Sequence, residues 1–232
     1  MQTQWISVPS EDGQAFDAYL ALPPSGSGPG LLLLQEIFGV NAHIRAVAEQ
    51  YALAGYVVLA PDVFWRQARR ADLGYEGADY DQAIALMRGL DPELAQADLR
   101  AATRALRGRS EVGGRKVAAM GYCMGGRLAY QAAAQGSVDA AVAYYGGGIH
   151  GQLDLAQRIS CPMLFHYAGI DSNIPAAAVE QVKAAFAGKP ATFFWYEGAH
   201  HGFNCWMRGA YHPPSAALAL GRTLTFLAEQ LF

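Results

Sequence analysis

The feature that most constrains the fold is an alternation of short apolar runs with segments of helical periodicity. The run Leu31-Leu32-Leu33-Leu34 has no polar residue, which is typical of a central parallel strand covered on both faces. Helical segments separate this run from the later ones. The alternation predicts an α/β fold, in which a mostly parallel sheet has helices on both faces. Residues 56–60 and the run from 117 are also predicted to be buried strands, and further strands are predicted at residues 138–145, 162–167 and 191–196.

The N-terminal segment predicts the antiparallel part of this sheet. Residues 6–22 are typical of one or two strands, and the alternating apolar residues from 16 to 22 indicate a half-exposed strand. Helical periodicity and its end signals then predict the helices. These are residues 41–54, the segment from 79 to 106 with a break near 91, residues 175–187 and residues 213–231.

An irregular, aromatic insertion follows the strand at 56–60. It covers residues 62–75, and an insertion of this length is able to cap a pocket. Its three arginines, Arg66, Arg69 and Arg70, are more typical of a solvated loop face than of a carboxylate-binding patch.

A cysteine lies at the centre of the strand–turn–helix segment that starts at residue 117. Gly121-Tyr122-Cys123-Met124-Gly125 has the Gly-x-Cys-x-Gly spacing of a nucleophile elbow, with sulfur in place of the usual hydroxyl. Small residues flank such an elbow because a side chain there would collide with the neighbouring strand and helix. The N-terminus of the following helix favours a thiolate. The alternative is a buried structural cysteine beside packing glycines.

Two further residues complete a candidate catalytic triad in the order nucleophile, acid, histidine. Asp171 and His201 both lie in loops after predicted strands, and this order is that of α/β-hydrolases. A histidine takes the proton of a thiol and returns it to a leaving group, and an aspartate fixes the imidazole tautomer. Taken singly, Asp171 is also typical of an Asx turn and His201 of a hydrogen-bonded loop histidine. His200 is a rival base, and we prefer His201 because Gly202-Phe203 follows it.

An acyl intermediate also needs two hydrogen-bond donors for its oxyanion. We predict the backbone N–H of Met124, directly after the nucleophile, and that of Ile37, in the loop after an early strand. The neighbouring Glu36 ends a central strand, so its carboxylate is predicted to be half-buried and to need a partner. Two roles stay open for it: an ion pair with an arginine such as Arg127, or control of the protonation of Cys123.

Composition argues against several classes of function. The 232-residue chain has a formal net charge of −3 and no basic run, so we do not expect nucleic-acid binding. No apolar stretch reaches membrane-spanning length, and the first residues lack a signal-peptide pattern. Three cysteines without a CxxC pair predict a reducing, cytoplasmic setting. We expect a single domain over residues 1–232, as a monomer or a small homo-oligomer.

The motifs together resemble those of the dienelactone hydrolase family of the α/β-hydrolase fold. The matching pieces run across nearly the whole chain, with matching spacing. They are Gln35-Glu36-Ile37-Phe38-Gly39-Val40-Asn41, Gly55-Tyr56 with Ala60-Pro61-Asp62, Gly121-Tyr122-Cys123-Met124-Gly125-Gly126, Tyr144-Tyr145-Gly146, Gly169-x-Asp171 with Pro175, and His201-Gly202-Phe203.

The resemblance implies a Cys-Asp-His triad at Cys123, Asp171 and His201 and places Glu36 at the position of the family's glutamate. That glutamate is held to bond the resting thiol and to hand control to the triad when substrate arrives. Family members open enol-lactone rings by acyl transfer to sulfur, followed by hydrolysis. The implied partner is therefore a small-molecule lactone or ester, with no metal and no organic cofactor.

The chain also departs from the family pattern. Dienelactone-cleaving members carry a carboxylate-binding arginine four residues after the catalytic histidine, where this chain has Cys205. A second such arginine belongs near Tyr80, and no arginine lies between Arg70 and Arg88. The resemblance therefore implies the type of reaction more firmly than the substrate. A less acidic lactone or ester remains a possible substrate. Our predicted substrate pocket consists of Phe38, Tyr80, Tyr144 and Arg208, the last as a substitute cation.

Two further classes of protein stay open at this point. A thiol-dependent amidotransferase also uses Gly-x-Cys-x-Gly, but such enzymes usually carry a glutamate two residues after the histidine, where this chain has Phe203. A non-catalytic ligand-binding protein on the same type of sheet is disfavoured by the intact triad and mildly favoured by the missing arginines.

Overall fold

The computed structural model describes residues 1–232, which divide into two compact units, Met1–Val117 and Ala118–Phe232. Each unit contributes four strands and three helices. No helix of the chain is both long enough and apolar enough to cross a membrane. The single domain expected over residues 1–232 stays a prediction.

The first unit carries the antiparallel strands. Its strands lie in the order β1-β2-β4-β3, where β1–β2 and β2–β4 are antiparallel pairs and β3–β4 is a parallel pair. Antiparallel pairing at the N-terminus is thereby confirmed. The elements are β1 (Gln2–Pro9), β2 (Ala15–Leu22), β3 (Gly30–Leu34), α1 (Ala42–Leu53), β4 (Val57–Pro61), α2 (Gly77–Arg88) and α3 (Pro92–Arg107).

Local chemistry explains where the helices of this unit begin. The Asn41 side chain accepts a hydrogen bond from the backbone N–H of Ile44 at 3.2 Å, so it caps α1. Asp91 caps α3 in the same way, and Pro92 occupies its first turn, where a missing N–H costs nothing. The break predicted near residue 91 is therefore confirmed.

Strand β2 is more buried than its sequence pattern predicted. Residues 18–22 are all buried, and only Ala15 and Asp17 are partly exposed. The reason is that β2 pairs with strands on both sides and α1 packs against it. The expectation of a half-exposed strand at residues 16–22 was wrong.

Two arginines of the 62–75 insertion, Arg66 and Arg70, pair with carboxylates, while Arg69 and Arg70 are exposed, as expected of a solvated loop face. Arg66 makes two hydrogen bonds to the Asp98 carboxylate, 3.1 Å from Nε and 3.0 Å from Nη2, and lies over the Trp65 ring at 4.1 Å. Arg70 pairs with Asp17 at 2.7 Å. Carboxylates distant in sequence thus hold the insertion, which the composition of the loop alone did not indicate.

The second unit is fully parallel, in the order β5-β6-β7-β8. The carboxyl ends of its strands therefore share one edge, the edge where ligands bind in open α/β sheets. The elements are β5 (Val117–Tyr122), α4 (Met124–Ala134), β6 (Ala140–Tyr144), two 3-10 turns (Ile149–Gly151 and Leu153–Arg158), β7 (Met163–Ile170), α5 (Ala176–Ala185), β8 (Ala191–His200) and α6 (Pro213–Leu231).

Strand β8 runs four residues beyond its predicted end at residue 196. An irregularity in β7 between Ala168 and Ile170 shifts the register, and pairing continues to Ile170 opposite His200. Asp171 and His201 therefore each stand directly after the end of a strand. With eight strands, most of them in parallel pairs, and helices between them, the predicted α/β class is confirmed.

Candidate active site

Cys123 stands at the tip of a strained turn between β5 and α4. Its backbone has φ 55° and ψ −116°, a conformation that non-glycine residues rarely adopt and that costs roughly 1–3 kcal/mol. A Cβ at position 121 would collide with the backbone of Gly125, which explains the glycine there. The Cys123 N–H donates to the Tyr144 carbonyl at 3.0 Å, and the residue is only partly buried. The turn has the geometry of a nucleophile elbow, as predicted.

The elbow also presents a backbone donor beside the sulfur. Met124 is the first residue of α4, so its N–H has no acceptor within the helix. The same helix N-terminus favours negative charge on a neighbouring atom. This N–H is available to an oxyanion formed at a carbonyl carbon bonded to Cys123.

Asp171 and His201 form a hydrogen-bonded pair at the ends of adjacent strands. His201 Nδ1 lies 2.7 Å from Asp171 Oδ2, and the side chain of Asp171 is fully buried. Asp171 Oδ1 accepts a second hydrogen bond from the Asn173 N–H at 2.9 Å. Asp171 is therefore an Asx-turn residue and the partner of His201 at once. The two interpretations of its sequence context are not exclusive.

The same imidazole is also hydrogen-bonded to Cys123. Burial lowers the pKa of His201, but its hydrogen bonds to the Asp171 carboxylate and the Cys123 sulfur outweigh burial and raise the pKa to about 10. At neutral pH the imidazole is then protonated, the form that pairs with a thiolate and protonates a leaving group. The second unit thus brings together all three predicted triad residues.

The neighbouring His200 has a different environment. It is the last residue of β8, opposite Ile170, and its side chain is exposed. His201, by contrast, is bonded to Asp171, so the geometry favours His201 as the base.

Another thiol of the chain provides a useful contrast with Cys123. Cys161 precedes β7, and burial raises the pKa of its thiol to about 11. It stays a neutral thiol at physiological pH, so it offers a matched control for substitutions of Cys123.

Two of the predicted pocket residues lie in this unit. Tyr144 is completely buried: its ring packs 4.7 Å from that of Tyr122, and its hydroxyl lies 2.7 Å from Thr223 Oγ1. Arg208 lies beside the triad, because a Cβ at Gly202 would stand 2.6 Å from its Nη1. The structure thus gives Tyr144 an interior packing position and Arg208 a position near His201.

The remaining predicted residues follow β3 in the first unit. Glu36 and Ile37 are buried, at 1% and 6% exposure, so Glu36 is more buried than predicted. The Phe38 ring lies 4.6 Å from that of Tyr75 and 6.2 Å from that of Tyr80. These three rings form an aromatic cluster in which Tyr80 is the exposed member. Tyr75 was not predicted as a pocket residue; its only signal was its place in an aromatic insertion.

The comparisons with known proteins agree with this geometry. A model of the dienelactone hydrolase family matches residues 16–231. A carboxymethylenebutenolidase from Pseudomonas putida is 38% identical over 230 residues, which are 98% of this chain and 97% of that protein.

Solved structures give the same result. A putative dienelactone hydrolase from Klebsiella pneumoniae has a TM-score of 0.86 at 29% identity and covers 98% of both chains. An esterase from Pyrococcus furiosus, 15% identical, shares the fold alone, with a TM-score of 0.73 over 99% of this chain and 93% of that one. The chain belongs to the dienelactone hydrolase family and has the α/β-hydrolase fold.

Proposed function

We propose that this hydrolase of lactone or carboxylic ester bonds uses Cys123 as nucleophile, His201 as acid and base, and Asp171 to orient the imidazole. One observation carries the proposal: a single imidazole is bonded to a buried carboxylate, 2.7 Å away, and to the sulfur at the tip of a strained elbow. The family supports hydrolysis, and this geometry supports the covalent route.

In the acylation step, the Cys123 thiolate attacks the carbonyl carbon, and a C–S bond forms while the π electrons move to oxygen. The Met124 N–H stabilises this oxyanion, and the Ile37 N–H is the second donor predicted from the sequence. The intermediate then collapses with breakage of the C–O bond. The departing oxygen takes the proton of His201, which leaves a thioester on Cys123 and a neutral imidazole.

Hydrolysis of the thioester reverses these roles. The neutral His201 removes a proton from water as the water oxygen attacks the thioester carbonyl. The C–S bond breaks, the sulfur leaves as a thiolate beside the protonated imidazole, and the carboxylic acid departs. Asp171 keeps Nδ1 protonated throughout, so that the other ring nitrogen handles the transferred proton.

The proposal is tested by steady-state hydrolysis of p-nitrophenyl esters and of five-membered enol lactones. We expect turnover by the wild type and by Cys161→Ala, whose lost thiol lies outside the triad. An inactive wild type across the whole panel would contradict the proposed function.

Glu36 is proposed to govern the protonation of Cys123. We expect Glu36→Gln to move the alkylation of Cys123 by iodoacetamide to lower pH, since in the proposed role the negative charge of Glu36 opposes formation of the thiolate. The rate is measured from pH 5 to 10 by mass spectrometry of the Cys123 peptide. Glu93→Gln, at an exposed position in the first turn of α3, is the control. An alkylation profile that Glu36→Gln leaves unchanged would reduce Glu36 to a structural role.

The substrate is proposed to be a lactone or ester without an obligatory carboxylate. The two arginine positions that bind a carboxylate in dienelactone-cleaving relatives are not arginines in this chain, and the aromatic cluster of Phe38, Tyr75 and Tyr80 is uncharged.

We therefore expect kcat/KM for a carboxylate-bearing enol lactone and for its methyl ester to agree within about tenfold, since a dedicated ion pair would contribute more than about 1.4 kcal/mol. The contrary result is a preference above 100-fold for the carboxylate-bearing lactone that is lost in Arg208→Met. It would show that Arg208 takes the place of the two absent arginines. That result would overturn the prediction.

Neither an amidotransferase nor a non-catalytic binding protein is favoured by a specific observation. The dienelactone hydrolase model covers residues 16–231, which supports a hydrolase over an amidotransferase, and the hydrogen-bonded triad supports catalysis over binding alone. The same continuous match supports a single domain. The cytoplasmic setting and the monomeric or small homo-oligomeric state stay predictions.

A further inference from the structure

Tyr145 adopts a backbone conformation that its side chain disfavours. It follows β6 directly, has φ 36° and is completely buried. In the second unit it shares positive φ with only one other non-glycine residue, the nucleophile Cys123. A bulky residue keeps such a conformation only where its surroundings impose it, and such residues cluster at functional sites.

Hydrogen bonds fix the backbone on both sides of this residue. The Tyr145 N–H donates to the His166 carbonyl on β7 at 2.7 Å. The preceding carbonyl, that of Tyr144, accepts the N–H of Cys123 at 3.0 Å. The strained residue is therefore held between β7 and the nucleophile elbow.

Hydrogen bonds among buried polar side chains hold the same region in place. His166 Nε2 lies 2.9 Å from Thr223 Oγ1, which lies 2.7 Å from Tyr144 Oη, and His166 Nδ1 lies 2.8 Å from Tyr196 Oη. Burial first, and Arg222 second, lower the pKa of His166 to about 3, so it stays neutral and can donate from one nitrogen while accepting at the other. The end of β6 is thereby tied to β7, β8 and α6.

With this backbone conformation, the Tyr145 ring packs against the loop that contains His201. Its centroid lies 5.0 Å from that of His201 and 5.3 Å from that of Phe203, with interplanar angles of 60° and 68°. Gly202, between these two residues, has φ 84° and so lets the chain reverse around the ring. The tyrosine is wedged between the catalytic imidazole and the phenyl group two residues later.

We propose that Tyr145 is a positioning residue for His201. The Tyr145 ring packs against the imidazole and keeps it turned toward both Asp171 and Cys123. The inference rests on the proposed function, since it assigns His201 the proton transfers. The imidazole is bonded to Asp171 through Nδ1, and rotation about its side-chain bonds would break the contact with Cys123. The Tyr145 ring, packed on the imidazole at 60° and edge-on against Phe203, opposes that rotation. Other charged and titratable groups of the unit near this loop include Arg208, at Gly202, the exposed His200, and His212, whose N–H donates to the Phe203 carbonyl at 3.0 Å.

The test compares Tyr145→Leu, which removes the ring, with Tyr145→Phe, which keeps it. We expect Tyr145→Leu to lower kcat roughly 10- to 100-fold with KM changed less than about threefold, because misplacement of a catalytic group costs rate rather than binding. The conservative variant Tyr145→Phe should keep most of the wild-type kcat.

A second readout follows the imidazole itself. The His201 ring is titrated by NMR and identified by comparison with His201→Gln. In the wild type we expect its pKa near 10, and in Tyr145→Leu a clear shift toward the ordinary value near 6.5, as the hydrogen bonds loosen. A purely structural role would lower the melting temperature of Tyr145→Leu without this shift.

Unchanged kcat and an unchanged His201 titration in folded Tyr145→Leu would overturn the inference. If that variant does not fold, Tyr145→Met, of similar length without a ring, takes its place in both measurements. The covalent mechanism and the positioning role of Tyr145 are tested independently. Turnover that survives Cys123→Ala rejects the covalent mechanism. The His201 titration tests the role of Tyr145 and needs no substrate.

Discussion

Cys123→Ala is expected to remove turnover of activated esters and lactones, with kcat reduced by at least about 10⁴-fold. In the proposed mechanism the substitution deletes the only atom that forms the covalent bond to the acyl group, and the remaining oxyanion donors supply little rate by themselves. The fold is expected to persist, because alanine fits the space of cysteine and keeps its strained φ of 55°. Initial rates and circular dichroism on the same preparation measure both expectations.

Cys161→Ala is the matched control for this experiment. It deletes a partly buried thiol of the same unit whose pKa is raised to about 11 by burial, and it should retain wild-type kcat. If Cys123→Ala retained more than a few per cent of wild-type turnover in a folded preparation, the sulfur would not be the nucleophile.

Asp171→Asn is expected to lower kcat by roughly 10²- to 10⁴-fold with a small change in KM. The amide can bind the wrong imidazole tautomer and no longer stabilises the cation. The hydrogen bond and charge of Asp171 raise the pKa of His201 toward about 10, so that pKa should fall in the variant. We would measure kcat between pH 6 and 11 and titrate His201 by NMR.

The same variant changes how stability depends on pH. The pKa of His201 is raised in the folded protein, so its contribution to stability is complete below the unfolded value near 6.5 and is lost as pH rises through about 10. In Asp171→Asn this alkaline loss should shrink. Asp154→Asn, an equal charge change at an exposed residue, is the control. A His201 pKa that stays near 10 in Asp171→Asn would show that Asp171 does not stabilise the imidazolium.

The sequence predicted the order of the elements and three side chains that the second unit brings together, because both depend on local signals. Apolar runs, caps and prolines mark the strands and helices, and a Gly-x-Cys-x-Gly turn needs glycine wherever it occurs, as the contact between positions 121 and 125 shows. Asp171 and His201 were found because parallel strands bring their loops to one edge.

What the sequence did not predict depends on contacts between distant residues. The pairing of Arg66 with Asp98 joins residues 32 positions apart, and the extension of β8 depends on a register shift in β7. The left-handed backbone of Tyr145 has no local signal, because tyrosine is a residue for which that conformation is not expected. The hydrogen bonds to the His166 carbonyl and from the Cys123 N–H, together with the packing of the histidine loop, hold it.

The residues predicted to line the pocket lie in different environments. Tyr144, expected as a pocket residue, has its ring in the interior and its hydroxyl bonded to Thr223. Tyr75, which was not expected, packs on Phe38. Which aromatic side chain faces a substrate depends on packing on both sides of a loop, and sequence spacing does not report that packing.

The most direct test of the account is mass spectrometry of the protein quenched in acid during turnover of a slowly hydrolysed ester. We predict that the protein mass increases by one acyl group, that peptide mapping places this group on Cys123, and that Cys161→Ala shows the same adduct. An acyl group found on any other residue, or active turnover with no adduct at any time point, would contradict the account.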